Sequence, residues 1–347
     1  MKALTVYGPY NASYGETPIP KAEGRYMTVK VERAGICATD ISIWTGNSSF
    51  ITDGLIKYPC RFGHEWSGVV TAVGEDVKDF KVGDRVYSDS GISCGKCPDC
   101  LAGRYEKCQF IRSVGTVNCW EGCFAEYMSI PDYNAYHIPE GVSYEEAALI
   151  EPLSISLDAF HNVELTDKTT VVVIGSGAIG LGAVWLAKYL GAGRVVFVGR
   201  TESKMQVAKE LGADVLVNSK EVDPVKAIRE MTGGVGAELV VETSGAYSAL
   251  LEALYMTATD GRVSILSFYE KNLDNFPMDY LALNRISVVG GAGRYGNPQK
   301  VAEIMATYSV KATPVISHRI PFEEMHQFLK DLEQYKKTKI KVMVEYK

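Results

Sequence analysis

The run TTVVVIGSGAIGLGAVWLAKYLGA, residues 169–192, constrains the fold more than any other stretch. It starts apolar and β-branched, ends in apolar residues at helical spacing, and turns through GSGAIG between the two. A strand that breaks on such a turn and reopens as a helix begins a doubly wound parallel sheet. Each glycine has its own task there. Gly175 permits the tight turn, Gly177 lets backbone approach a pyrophosphate, and Gly180 lets helix and strand pack closely. Ala178 and Ile179 stand at the helix start, where unpaired N–H groups meet an anion. Residues 171–187 carry no charge and could be mistaken for a membrane span. The run is short for a bilayer, and its glycines fall at turn spacing.

The pattern continues downstream. RVVFV leads into ESKMQVAKELGA, and DVLVN, ELVVETS, GRVSILSF and RISVVGG alternate with amphipathic helical stretches. Residues 1–150 differ: YMTVKVERAGI, WSGVVTAVG, DRVYSD and FAEYMSI are short β-like runs broken by Gly, Pro and Asp. They predict a compact, barrel-like β domain. The tail KIKVMVEY reads as a strand that rejoins this domain. The expected division is 1–153 with 293–347 for the β domain and 154–292 for the parallel-sheet domain.

A net charge of −6 argues against general attraction to nucleic acid or anionic membranes, so any phosphate site must be built locally. The start MKALTVYGPYNAS lacks the apolar core of a signal peptide, which makes a cytoplasmic location the expectation. In that compartment, clustered cysteines suggest metal rather than disulfides. Cys94, Cys97, Cys100 and Cys108 form C-x2-C-x2-C-x7-C, enough thiolates to close a tetrahedral shell around a structural zinc. A second constellation is dispersed: Cys37 in GICATD, His64 and Glu65 in FGHEWSG, and Glu151 in IEPLS. Each has a bland alternative, as a buried thiol, a core histidine or a residue that starts a helix.

Taken in order, GICATD, FGHEWSG, the four-cysteine segment, FAEY, EPLS and GSGAIG resemble the zinc-dependent medium-chain dehydrogenases along essentially the whole chain. EEAALIEPLS, GRYGN and SHRIPFEE resemble the polyol branch, the sorbitol (L-iditol) dehydrogenases. The resemblance implies a GroES-like β-barrel catalytic domain, an inserted Rossmann domain, and two zincs per chain. It implies a catalytic zinc at Cys37 and His64, with Glu65 and Glu151 binding directly or through water. Thr39 would relay the substrate proton, and Asp40 would steady the histidine ring. Arg294 and Tyr295 would lie near a polyol, and Trp120, before FAEY, would line the cleft. The implied activity is hydride transfer between a secondary alcohol of a polyol and NAD(P), in a homotetramer or homodimer. Zinc as a Lewis acid brings the pKa of a bound oxygen from about 16 towards about 7, which readies an alcohol for hydride loss. A threonine- or butanediol-type dehydrogenase would use the same metal chemistry, and a non-catalytic NADPH-binding protein is the alternative outside the enzymes.

The second strand of the parallel sheet ends in VFVGRTESK. NAD-selective relatives carry an acid after this strand to hold the ribose hydroxyls. Here Gly199 takes that place, and Arg200 follows with a planar fork suited to phosphate. Thr201 and Ser203 add hydroxyls and Lys204 adds charge, so NADP(H) is expected over NAD(H). The alternative is a solvated Arg200, with Glu202 reaching the ribose. Cys119 and Cys123 flank WEG; two reduced cysteines are expected there rather than a regulatory disulfide.

Overall fold

The computed structural model describes residues 1–269, 272–291, 297–308 and 311–347. The chain divides into two compact units. One comprises Met1–Glu151, Pro298–Thr307 and Ile316–Lys347; the other comprises Pro152–Asn297 and Tyr308–Val315. The chain passes from the first unit to the second at 151/152 and returns at 297/298. The return is not a single crossing. Tyr308–Val315 belongs to the second unit, with the Tyr308 ring 4.3 Å from that of Tyr189. The helix Pro298–Thr307 belongs to the first, where the Tyr87 hydroxyl donates to the Pro298 carbonyl at 3.3 Å.

The first unit is built around Tyr26–Ile36, an eleven-residue, mostly buried strand. It pairs antiparallel with Glu65–Val73, Tyr127–Pro131 and the tail strand Lys341–Glu345. The tail strand is thus part of this sheet, with Val342 opposite Ile36 and Val344 opposite Ala34. Arg85–Ser88 and Ala135–His137 extend the sheet on one side and Ile316–Pro321 on the other. Trp44, Phe62, Trp66, Phe124 and Met27 fill its core, each almost fully buried.

The second unit is a six-stranded parallel sheet. Its order is Val215–Asn218, Arg194–Gly199, Thr170–Ile174, Ala237–Glu242, Thr257–Ile265, Ser287–Gly290. In chain order this is 3-2-1-4-5-6, the Rossmann arrangement. Every residue of Thr170–Ile174 is buried, as a parallel strand covered on both faces requires. Burying each of its three central valines contributes about 1.5–3 kcal/mol. The uncharged run 171–187, too short for a bilayer, lies in this strand, its turn and the helix Ala178–Tyr189. Among the described residues no helix is long and apolar enough to cross a membrane.

Candidate functional site

Cys37 follows the central strand of the first unit and caps the helix Ala38–Thr45. Its N–H donates to Asp40 Oδ2 at 2.8 Å, and the other carboxylate oxygen accepts from the Gly63 N–H at 3.2 Å. The fully buried Asp40 therefore ties the turn carrying Cys37 to the loop carrying His64. His64 Nδ1 lies 3.6 Å from Asp40 Oδ1 and has no hydrogen-bond partner among the described residues. Burial opposes a charge on this imidazole, but Asp40 and Cys37 outweigh it and hold its pKa well above the usual histidine value. Ligand atoms of Cys37, His64 and Glu65 all lie within 4.8 Å of one another. A thiolate, an imidazole and a carboxylate at this spacing fit zinc. Thr39 Oγ1 is 3.8 Å from the Cys37 sulfur.

Glu65 opens its strand directly opposite Gly35. A Cβ at position 35 would sit 2.0 Å from Glu65 Oε2, so only glycine leaves room for this carboxylate. Both carboxylate oxygens accept from Lys341 Nζ, at 2.5 and 2.6 Å, and the pair is buried. Burial works against the Lys341 charge, but Glu65 more than offsets it and its pKa is raised. Sequence reasoning missed Lys341. The only signal is a lysine inside a run that otherwise reads as a buried strand, and its partner is 276 residues away.

Glu151 stands apart from Cys37, His64 and Glu65, within the expectation that either glutamate binds directly or through water. It is buried in the first turn of Ile150–Asp158 but does not join the 4.8 Å group. Burial pushes its carboxyl up to about 7; His64 and Lys341 oppose the rise, and Glu65 and Asp89 add to it.

Cys94, Cys97, Cys100 and Cys108 also converge within 4.8 Å. Sulfur–sulfur distances are 3.4 Å for Cys97–Cys100 and 3.9 Å for Cys94–Cys100. A tetrahedral zinc–thiolate shell has edges of about 3.8 Å, so the donor set fits. Neighbouring backbone supports the thiols, with N–H groups of Cys97 and Cys94 donating to the sulfurs of Cys94 and Cys108, both at 3.3 Å. The Lys96 N–H is the largest influence bringing the Cys94 thiol down to about 6, whereas burial pushes Cys100 up to about 12. Four thiols so close cannot all ionise without a cation between them.

In the second unit, Gly177 caps the helix Ala178–Tyr189, and a Cβ on it would meet nothing within 4 Å. Gly175 has φ +115°, and a Cβ there would lie 2.3 Å from Thr243 Oγ1. At Gly180 a Cβ would lie 2.1 Å from the Gly175 carbonyl oxygen. The turn is therefore closed by packing at its first and third glycines and open at its second. Beside it is a cleft of about 400 Å³, whose lining includes Gly175, Ser176, Gly199, Arg200, Thr201 and Ser219. The exposed Arg200 makes no hydrogen bond or ion pair among the described residues. The missing acid has a local cause: a Cβ at Gly199 would come within 2.6 Å of the buried Phe197 ring.

Several expected residues stand elsewhere. Lys204 does not line this cleft; it is half-buried on the helix Glu202–Glu210, where burial lowers its pKa. Trp120 stacks on Tyr26, lies under Arg112, and donates its indole N–H to the Ser129 carbonyl at 2.8 Å. Its ring and polar atom are thus engaged in packing, and none of these contacts is with the Cys37 group. Arg294 and Tyr295 lie outside the described residues. Cys119 and Cys123 are free thiols, and burial pushes both pKa values up.

Two family models match the chain, the alcohol dehydrogenase GroES-like domain over residues 23–140 and the zinc-binding dehydrogenase over residues 178–309. The L-threonine 3-dehydrogenase of Bacillus subtilis (strain 168) is 35% identical, over 94% of this chain and 94% of that protein. The sorbitol dehydrogenase of the same organism is 31% identical, over 99% of this chain and 97% of that protein. The structure of galactitol-1-phosphate dehydrogenase from Escherichia coli aligns with a TM-score of 0.88 at 26% identity, covering 99% of this chain and 100% of that one. L-threonine 3-dehydrogenases outnumber sorbitol dehydrogenases among the similar proteins found.

Proposed function

The chain belongs to the zinc-binding alcohol dehydrogenase family with a GroES-like and a Rossmann domain, and from that premise we propose that it oxidises a small, polar secondary alcohol with NADP+. It is a zinc-dependent, NAD(P)-linked dehydrogenase. A β-hydroxy amino acid of the L-threonine kind is the first candidate substrate and a polyol the second. This reverses the order that the polyol-like motifs suggested, because the relatives favour the threonine type. The observation that carries the catalytic reading is the meeting of Cys37, His64 and Glu65 within 4.8 Å.

When bound there, zinc supplies Lewis acidity towards an alcohol hydroxyl. The chain's own residues do the rest. Asp40 faces His64 Nδ1, which leaves Nε2 for the metal. Lys341 engages both carboxylate oxygens of Glu65 and holds them towards the sheet, so the Cys37 sulfur and the imidazole lead as ligands. Glu151 is the outer carboxylate of the same site. Thr39, beside the Cys37 sulfur, takes the substrate proton and passes it outward. Arg200, without a hydrogen bond or ion pair among the described residues, and Thr201 and Ser219 on the same cleft support binding of a 2′-phosphate.

Measuring kcat/KM for L-threonine, 2,3-butanediol and sorbitol with both cofactors tests these assignments. The expected result is turnover of at least one substrate, L-threonine first, with NADP+ favoured by about tenfold or more. A preference for NAD+ would overturn the role of Arg200. Absence of turnover in zinc-loaded protein would point instead to a nucleotide-binding protein without catalysis.

A further inference from the structure

Three strand ends line up in the parallel sheet, with Ile174 beside Glu242 and Glu242 beside Ile265. The glycine turn follows the first of them. Glu242 itself is fully buried, and no cation reaches it among the described residues. Its carboxylate instead collects neutral donors from two loops. On its own turn these are the Ser244 N–H at 2.7 Å, the Ser244 hydroxyl at 2.5 Å and the Gly245 N–H at 3.4 Å. On the loop after the neighbouring strand they are the Ser267 hydroxyl at 2.5 Å and the Tyr269 hydroxyl at 2.6 Å.

Burying an uncompensated charge is costly, and closing a turn does not require one, since neutral Asn or Ser serves. What a carboxylate adds is two acceptor oxygens on one group, enough to bind both loops at once. Ser244 also lines the cleft beside the glycine turn. Its hydroxyl accepts from the Ala246 N–H at 3.2 Å, where the helix Tyr247–Met256 begins. Thr243, between Glu242 and Ser244, donates both its N–H and its hydroxyl to the Ile174 carbonyl at 2.9 Å. It thereby presses against Gly175 of the glycine turn.

We infer that Glu242 is a positioning residue for the dinucleotide, tying the Thr243–Gly245 turn to Ser267 and Tyr269 and so setting the cleft wall that abuts the glycine turn. It acts through Thr243 and Ser244 and touches no ligand itself. The inference rests on the assignment of this cleft to the dinucleotide, but not on the preference for NADP.

The test measures Kd for NADP+ and NAD+, kcat at saturating cofactor, and Tm, all on the zinc-loaded enzyme. Glu242→Gln should raise both Kd values about tenfold and equally, with kcat at saturation within about twofold of wild type. Tyr269→Phe keeps the ring and removes one donor of the second loop; Kd should rise about threefold with little change in Tm. This second variant decides the matter if Glu242→Gln does not fold. A control tests the cleft itself. A Cβ at position 177 meets nothing within 4 Å and Asp is a favoured helix N-cap, so Gly177→Asp should fold normally and repel a pyrophosphate. Weaker binding in Gly177→Asp alongside wild-type Kd in both other variants, even with lowered Tm, would overturn the role of Glu242 alone. An unchanged Kd in Gly177→Asp would overturn the cleft assignment and the role of Glu242 with it.

Discussion

The two metal-ligand groups are assembled in opposite ways. The four cysteines come from one short segment, 94–108, and their sulfurs are steadied by backbone N–H groups of the same segment. The Cys37 group is gathered from distant parts of the first unit and adds a lysine from the tail strand. A local group needs only its own loop to close. A dispersed group needs the register of three strands, because Gly35 must face Glu65 and the tail must bring Lys341 beside both. The local group is suited to holding a lobe together, and the dispersed one to chemistry that depends on the finished fold.

The largest expected effect strikes the dispersed group. Cys37→Ala should lower kcat/KM by about a thousandfold or more, with one zinc fewer than wild type and an unchanged circular dichroism spectrum. Retained turnover would break the contrast outright. Next comes Lys341→Met, which leaves Glu65 buried without its cation. Denaturant unfolding should show a loss of about 3–5 kcal/mol, and Lys341→Arg should recover most of it. Wild-type stability in Lys341→Met would show that the tail strand does not secure the site. Cys100→Ser should cost less, roughly 2 kcal/mol, with proteolysis confined to the 94–108 lobe and kcat per folded molecule near wild type. A collapse of kcat in that variant would mean the two groups are not independent.

The smallest effect is alkaline. Lys341 has its pKa raised in the folded state above the ordinary 10.5. Its contribution is therefore fully present below that ordinary value and is lost as pH rises through the folded one. Urea midpoints taken from neutral to strongly alkaline pH should fall more steeply for wild type than for Lys341→Met. Parallel curves would remove Lys341 from the pH response.

The cofactor cleft shows where sequence patterns stop. GSGAIG could be read directly, since turn, strand and helix are neighbours in the chain, and the structure adds only which glycine stays open. Gly199 read as a missing acid. The structure adds that Phe197 already fills the space, so Gly199→Asp would be overpacked by about 1–3 kcal/mol besides changing charge. Glu242 was visible only as the last residue of a strand, because its donors at Ser267 and Tyr269 come from the loop after the neighbouring one.

Periodicity, turn chemistry and ligand spacing depend on residues within a few positions of one another. From them alone followed the parallel sheet, the β domain and the four-cysteine site. The Glu65–Lys341 pair, the place of Glu151 outside the 4.8 Å group, and the packing role of Trp120 depend on which strands and helices meet. Those meetings are set by sheet register across hundreds of residues, and only the tertiary structure decides them.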